Sequence, residues 1–248
     1  MNTPMRGKLM VAEGSKDLAD KGAALFLKLA KQSRGRFVVG LAGGSTPRPL
    51  YQTLARSPWR EAVDWSNVVM VLGDERFVSP ENADSNFHMI RTALFDRVGI
   101  PASQIAGVPF NGLNVEQAAE QYERKLREIY GKDVLEVGRK FFSLNFLGMG
   151  EDGHIASLLP GQKDLLEERV RWVLPVTHGR PEERVTLTYP VLESSEVTVF
   201  LVSGARKREM LDRVLRGTEQ DAPASRLKPQ GQLIWLVDRE AAGRWAGC

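Results

Sequence analysis

The sequence predicts an α/β fold, a mostly parallel sheet with helices on both faces, and three observations lead there. The apolar runs are short and continuous instead of alternating, as strands buried on both faces require. Segments of helical periodicity lie between them. Strand and helix patterns also succeed one another along the chain, an order that right-handed crossovers turn into a parallel sheet.

In chain order, the strand candidates are "KLMVAE" (8–13), "RFVVGLAG" (36–43), "NVVMVLGD" (67–74), "FFSLNFLGMG" (141–150), "EVTVFLVSG" (196–204) and "QLIWLVD" (232–238). "VRWVLPV" and "RVTLTY" are weaker candidates. Helical faces recur at Leu18, Gly22, Phe26 and Leu29; at Phe87, Ile90 and Leu94; and at Val115, Ala119, Tyr122, Leu126 and Ile129. Ser15 and Asn114 are placed as N-caps, with Ser85 and Asn86 before the second helix, and Gly99 and Gly217 as C-terminal stops. Residues 179–184 and 217–232 read as surface loops.

At 248 residues the chain suits a single α/β domain spanning 1–248. No stretch reaches the ~18 consecutive apolar residues of a membrane helix. The start lacks a signal-peptide pattern and the only cysteine is Cys248, so a reducing, cytoplasmic setting is expected. A net charge of +3, well mixed along the chain, gives no support to nucleic acid as a partner. Nothing points to a membrane or to an obligate protein partner.

Four predicted strands run directly into polar or glycine-rich segments: "GLAGGSTP", "GDER", "GMGEDGH" and "SGARK". Ligands of open parallel sheets bind outside the carboxyl ends of the strands, so all four should line one crevice. In the first segment, Gly43 and Gly44 allow positive φ and close approach to a ligand. Ser45 or Thr46 can cap the next helix, with Pro47 in its first position. Such a turn suits a phosphate, and it equally suits an ordinary capped turn. Neither the dinucleotide fingerprint nor the P-loop pattern is present.

In "SGARK", cations stand in a first helical turn, against the macrodipole. Lys207 is expected to point inward, while Arg206 and Arg208 form a solvated face offset by Glu209 and Asp212. In "GDER", Asp74, Glu75 and Arg76 are equally compatible with solvent exposure. On a crevice edge, Arg76 could hold a substrate oxygen or a developing oxyanion, with Asp74 orienting a neighbour. In "GMGEDGH", glycines free the backbone around Asp152 and His154, and histidine, with an ordinary pKa of ~6.5, can take a proton from water. His88 and His178 read as structural. No second histidine or cysteine stands at metal-ligand spacing, and no G-x-S-x-G elbow supplies a serine nucleophile.

Taken in order, "GLAGGSTPRPLY", "GDER…SN", "LGMGEDGHIASLLPG", "RVTLT" and "SGARKREML" resemble the 6-phosphogluconolactonases, within the wider family that includes glucosamine-6-phosphate deaminase. The resemblance covers nearly the whole chain. It implies a Rossmann-like, NagB-like fold, hydrolysis of 6-phospho-D-glucono-1,5-lactone in the oxidative pentose phosphate pathway, a sugar phosphate as partner, and no metal or organic cofactor. Departures from the family spelling fall at Pro80, Asn82 and Ile155; the last matches the deaminase "GHIA". The deaminases usually read "DEY" and carry a further acid where this chain has Arg76 and "SLLPG".

Chemistry and resemblance together place the phosphate on Gly43, Gly44, Ser45, Thr46, Arg184 and Lys207. They make His154 the general base, Asp152 its orienting carboxylate, and Arg76 with Asp74 the group at the ring or oxyanion. The alternatives are an amino-sugar-phosphate deaminase and a non-catalytic sugar-phosphate sensor. For the sensor, the first 43 residues leave no room for a helix-turn-helix. The loop with Gly179 and Arg180 is a candidate lid.

Overall fold

The computed structural model describes residues 6–247; Cys248 and the first five residues lie outside them. Among the described residues are ten strands: β1 (Lys8–Ala12), β2 (Phe37–Leu41), β3 (Val68–Leu72), β4 (Asp74–Arg76), β5 (Ile105–Ala106), β6 (Leu144–Gly148), β7 (Val173–Val176), β8 (Arg184–Leu187), β9 (Val197–Val202) and β10 (Gln232–Asp238). Seven form one sheet, ordered β1-β10-β9-β6-β2-β3-β5, and every pairing in it is parallel. The continuous apolar runs are explained by burial on both faces. In β3, Val69 and Val71 face one core while Val68, Met70 and Leu72 face the other. The helix Val115–Tyr130 covers the first core with Tyr122 and Leu126, and Ser15–Gln32 covers the second with Leu18 and Phe26.

Asn114 caps its helix in a full capping box, and Gly99 and Gly131 end theirs in the left-handed region. Gly217 likewise has φ +68 just beyond the helix Arg208–Leu215. Ser15 does not act as a cap. It begins the helix after Gly14, and no side chain closes that end. The helix expected around Phe87 opens as Asn86–Ile90 under Ser85, whose hydroxyl accepts from His88 N at 3.0 Å, and widens into a π turn at Arg91–Phe95. Loop 217–232 contains a helical turn, Pro223–Arg226.

The largest departure from expectation is a second, antiparallel sheet, β4-β8-β7. The weak candidates "VRWVLPV" and "RVTLTY" are strands of this sheet. Within "GDER", Asp74–Arg76 is itself a strand instead of a loop after one. Gly73 makes the transition: its N–H still donates to Leu41 O of the main sheet, while its carbonyl accepts from Leu187 N of the small one. The chain thus leaves the first sheet without losing a backbone partner. The short charged β4, which pairs across the chain with β8, leaves no periodic trace in the sequence, and neither does the two-residue β5.

The strand order places the topological switch between β2 and β6. From there the chain builds outward through β3 and β5 on one side and, after β6, through β9 and β10 on the other, where β10 pairs with β1, the first strand. Crevices of open α/β sheets form at this point. Among the described residues, no helix is long and apolar enough to cross a membrane.

Candidate active site

A cleft of about 600 Å³ opens at the carboxyl ends of β2, β3, β6 and β9, and all four motif segments line it. After β2, Tyr51 fastens the turn by donating its hydroxyl to Ala42 O at 2.8 Å. Gly44 takes φ +95, as a glycine-only turn would. Gly43 is required for a different reason: a Cβ there would fall 2.0 Å from Asn86 Oδ1. Ser45 and Thr46 do not cap the following helix, Arg48–Leu54. Its N-cap is Pro47, with no side-chain bond, and the proline inside its first turn is Pro49. Both residues instead line the cleft.

The alternation of β4 sorts its three charges. Asp74 and Arg76 line the cleft, whereas Glu75 turns away into the protein. Glu75 accepts from Arg76 N, Ser85 Oγ, Asn86 N and Phe87 N at 2.7–2.9 Å, and so holds the start of the Asn86 helix against β4. Burial pushes its carboxyl up, and these donors oppose that. Sequence spacing gives no sign of this role, because the three donors of the Asn86 helix lie ten or more residues away.

Asp74 is buried and accepts from Ser157 Oγ at 2.6 Å, with Arg184 Nη1 at 3.8 Å. The β4–β8 register sets Arg184 directly opposite Arg76. Burial pulls the Arg184 guanidinium down, Asp74 opposes this, and its Nε is buried without a partner. Arg76 itself donates Nη1 to Asp84 O. Two neighbouring guanidiniums, one incompletely paired, favour an anion between them.

After β6, Gly150 N donates to His154 O and Gly153 N to Gly150 O, closing a tight loop. Gly153 has φ +80, whereas Gly150 leaves room: a Cβ on it would lie 2.0 Å from His154 Nδ1 and 2.4 Å from Asp152 Oδ1. His154 Nδ1 stands 2.5 Å from Asp152 Oδ1, and its backbone N–H donates to the same oxygen. A contact that short between a nitrogen and a carboxylate carries a proton, which assigns the hydrogen to Nδ1 and the free lone pair to Nε2. The His154 bond holds the Asp152 carboxyl well below the ordinary carboxylate range, with Arg180 adding to the effect. The next turn carries Ala156 at φ +47, a conformation costing about 1–2 kcal/mol in a non-glycine residue, and delivers Ser157 to Asp74. The His154 loop and the Asp74–Arg184 pair are therefore joined.

After β9, Asp238 accepts from Ser203 Oγ and Gly204 N and fixes the turn. Lys207 points inward, donating to Met149 O at 2.6 Å, and burial pulls its amine down. Arg206 is solvated as expected, but its partner is Glu151, at 3.2 Å, and Arg208 donates to Glu240 O. Neither uses Glu209 or Asp212. His88 and His178 stand outside the cleft.

Arg180, which the sequence places only in a candidate lid loop, stands beside the Asp152–His154 pair. Its Nη2 lies 3.1 Å from His154 Nδ1 and 3.5 Å from Asp152 Oδ2. Among the described residues, no cluster of three or more His, Cys, Asp or Glu is placed to hold a metal ion. The cleft therefore brings His154, whose Nε2 is left to accept a proton, together with Arg76, Arg184, Lys207, Ser45 and Thr46, a lining suited to an anionic substrate.

Residues 13–235 match the family model for glucosamine-6-phosphate isomerases/6-phosphogluconolactonase. The chain is 38% identical to a 6-phosphogluconolactonase of Nostoc over 217 residues, covering 87% of each protein. It is 35% identical to the human 6-phosphogluconolactonase, over 98% of this chain and 95% of the other. Among solved structures, the 6-phosphogluconolactonase of Thermotoga maritima superposes with a TM-score of 0.76 at 31% identity, covering 93% of this chain and 97% of that one. A monomeric glucosamine-6-phosphate deaminase gives 0.79 at 25%, covering 95% and 98%. The chain belongs to the glucosamine-6-phosphate isomerase/6-phosphogluconolactonase family.

Proposed function

We propose that this protein hydrolyses 6-phospho-D-glucono-1,5-lactone to 6-phospho-D-gluconate, with residues 1–248 acting as one catalytic unit. The observation that carries the reading is the Asp152–His154 pair, whose 2.5 Å contact leaves Nε2 free beside a cationic cleft. His154 Nε2 takes a proton from water as the water oxygen bonds to C1. The negative charge that develops on the carbonyl oxygen falls to Arg76. Collapse of the tetrahedral intermediate breaks the bond from C1 to the ring oxygen, which receives the proton from the imidazolium. Only water and protons move, so the step calls for neither a covalent enzyme intermediate nor a redox cofactor.

The phosphate is assigned to the Gly43–Gly44 backbone, Ser45, Thr46, Arg184 and Lys207. Binding energy gathered there positions the lactone for attack. A cytoplasmic setting fits a chain with one cysteine in 248 residues.

Replacing Thr46 with alanine is expected to raise KM for the lactone about tenfold with little change in kcat, because one hydrogen bond to a charged group is lost in both ground and transition states. Steady-state kinetics on lactone generated in situ check this. The deaminase alternative is tested by incubating the protein with glucosamine 6-phosphate. Lactone turnover without ammonia release is the expected result, and ammonia release without lactone turnover would overturn the reading.

A further inference from the structure

The loop joining β7 to β8, residues 177–183, is longer than a hairpin requires and is anchored where it turns. Gln162, itself buried, donates Nε2 to His178 O at 2.8 Å. Gly179 has φ +81 and approaches so closely that a Cβ on it would stand 2.4 Å from that same nitrogen. Arg180 follows at once, and Pro181 fixes the next φ. The guanidinium is thereby carried to the back of the Asp152–His154 pair, 3.5 Å from Asp152 Oδ2 and 3.1 Å from His154 Nδ1. The proton between Nδ1 and Asp152 leaves Nδ1 nothing with which to accept, so the partner of Arg180 is the carboxylate.

That carboxylate needs a second fixed point. The Asp152 side chain is 47% exposed, and it reaches His154 across only two residues of a glycine-flanked turn, where water competes for both oxygens. We propose that Arg180 is a positioning residue for the hydrolysis: docking of the 177–183 loop sets its guanidinium on Asp152 Oδ2, holds Oδ1 on His154 Nδ1, and so aims Nε2 into the cleft. The inference rests on the reading of His154 as the base. It makes loop docking and base alignment a single event, so that the anchor at Gln162 bears on turnover although it touches no substrate.

The test combines kinetics with a spectroscopic readout that needs no turnover. Arg180→Gln is expected to lower kcat by about ten- to 100-fold with KM within about twofold, as a misaimed base would. Arg180→Lys, which keeps the charge without the fork, should recover part of the loss. Gln162→Leu should give the same phenotype and add little in the double variant. In ¹⁵N-histidine spectra, the three histidines allow the His154 Nδ1–H signal to be identified by its loss in His154→Gln. That signal should be sharp in the wild type and broadened by exchange in Arg180→Gln.

A raised KM at unchanged kcat would make Arg180 a substrate-binding cation and overturn the proposal. An unaltered Nδ1–H signal in Arg180→Gln would overturn it as well. A wild type inert toward the lactone would defeat the functional reading alone, since loss of the Nδ1–H signal in Arg180→Gln would still support the positioning role.

Discussion

Replacing His154 with glutamine is expected to lower kcat by about 10²–10⁴-fold and to leave KM for the phosphorylated lactone nearly unchanged. Glutamine fills similar space and can still accept a bond at the position of the ring, but it cannot take a proton from water. The substitution leaves the Arg184, Lys207, Ser45 and Thr46 groups in place, so affinity persists while chemistry fails. The side chain of His154 is 29% exposed, and its removal opens no apolar core, so the variant should fold. Steady-state kinetics, corrected for spontaneous hydrolysis, check the split. A matching rise in KM with kcat intact would mean that His154 binds substrate instead of activating water.

The second large effect is expected from a single methyl group. Gly150→Ala would set a Cβ 2.0 Å from His154 Nδ1 and 2.4 Å from Asp152 Oδ1, far inside contact distance. Gly150 does not occupy the left-handed region, so alanine is allowed by its backbone, and the cost falls on the pair. The dyad has to move or separate. An ångström of displacement at a general base costs about 100-fold, and we expect a kcat loss of that order with KM changed far less. Far-UV circular dichroism and thermal denaturation would establish that the variant is folded. A fully active Gly150→Ala would show that the Asp152–His154 contact is not needed for turnover.

The fold was legible where burial writes itself into a run of residues. β3 is apolar throughout, and β9 is apolar except for Thr198, because both faces of the sheet are covered, and their continuous runs say so. The four polar segments were legible as one site because each follows a strand of the same parallel sheet, so topology alone brings them together. His154 stood out because glycines and a carboxylate surround it in the chain, and those neighbours in sequence are also its neighbours in space.

What stayed hidden depends on partners far away in the chain. Arg184 faces Arg76 only through an antiparallel pairing in a sheet that was not anticipated. Ser157 reaches Asp74 across 83 residues, and Arg180 reaches His154 across 26. Glycine serves two different ends around the cleft. Gly44 and Gly153 do take positive φ, but Gly43 and Gly150 are glycine because a side chain of another residue occupies the space of a Cβ. Pro47, and neither Ser45 nor Thr46, is the N-cap of Arg48–Leu54, and both of those residues line the cleft. Propensity describes a residue's own backbone, whereas these features are set by tertiary contacts.

The most direct test follows 6-phospho-D-glucono-1,5-lactone, generated in situ, and compares its rate of disappearance with wild-type protein, with His154→Gln and with no protein. The wild type should consume the lactone well above the protein-free rate, and His154→Gln should fall back to within a small margin of it. Wild-type decay at the protein-free rate, or undiminished decay with the folded variant, would contradict the account.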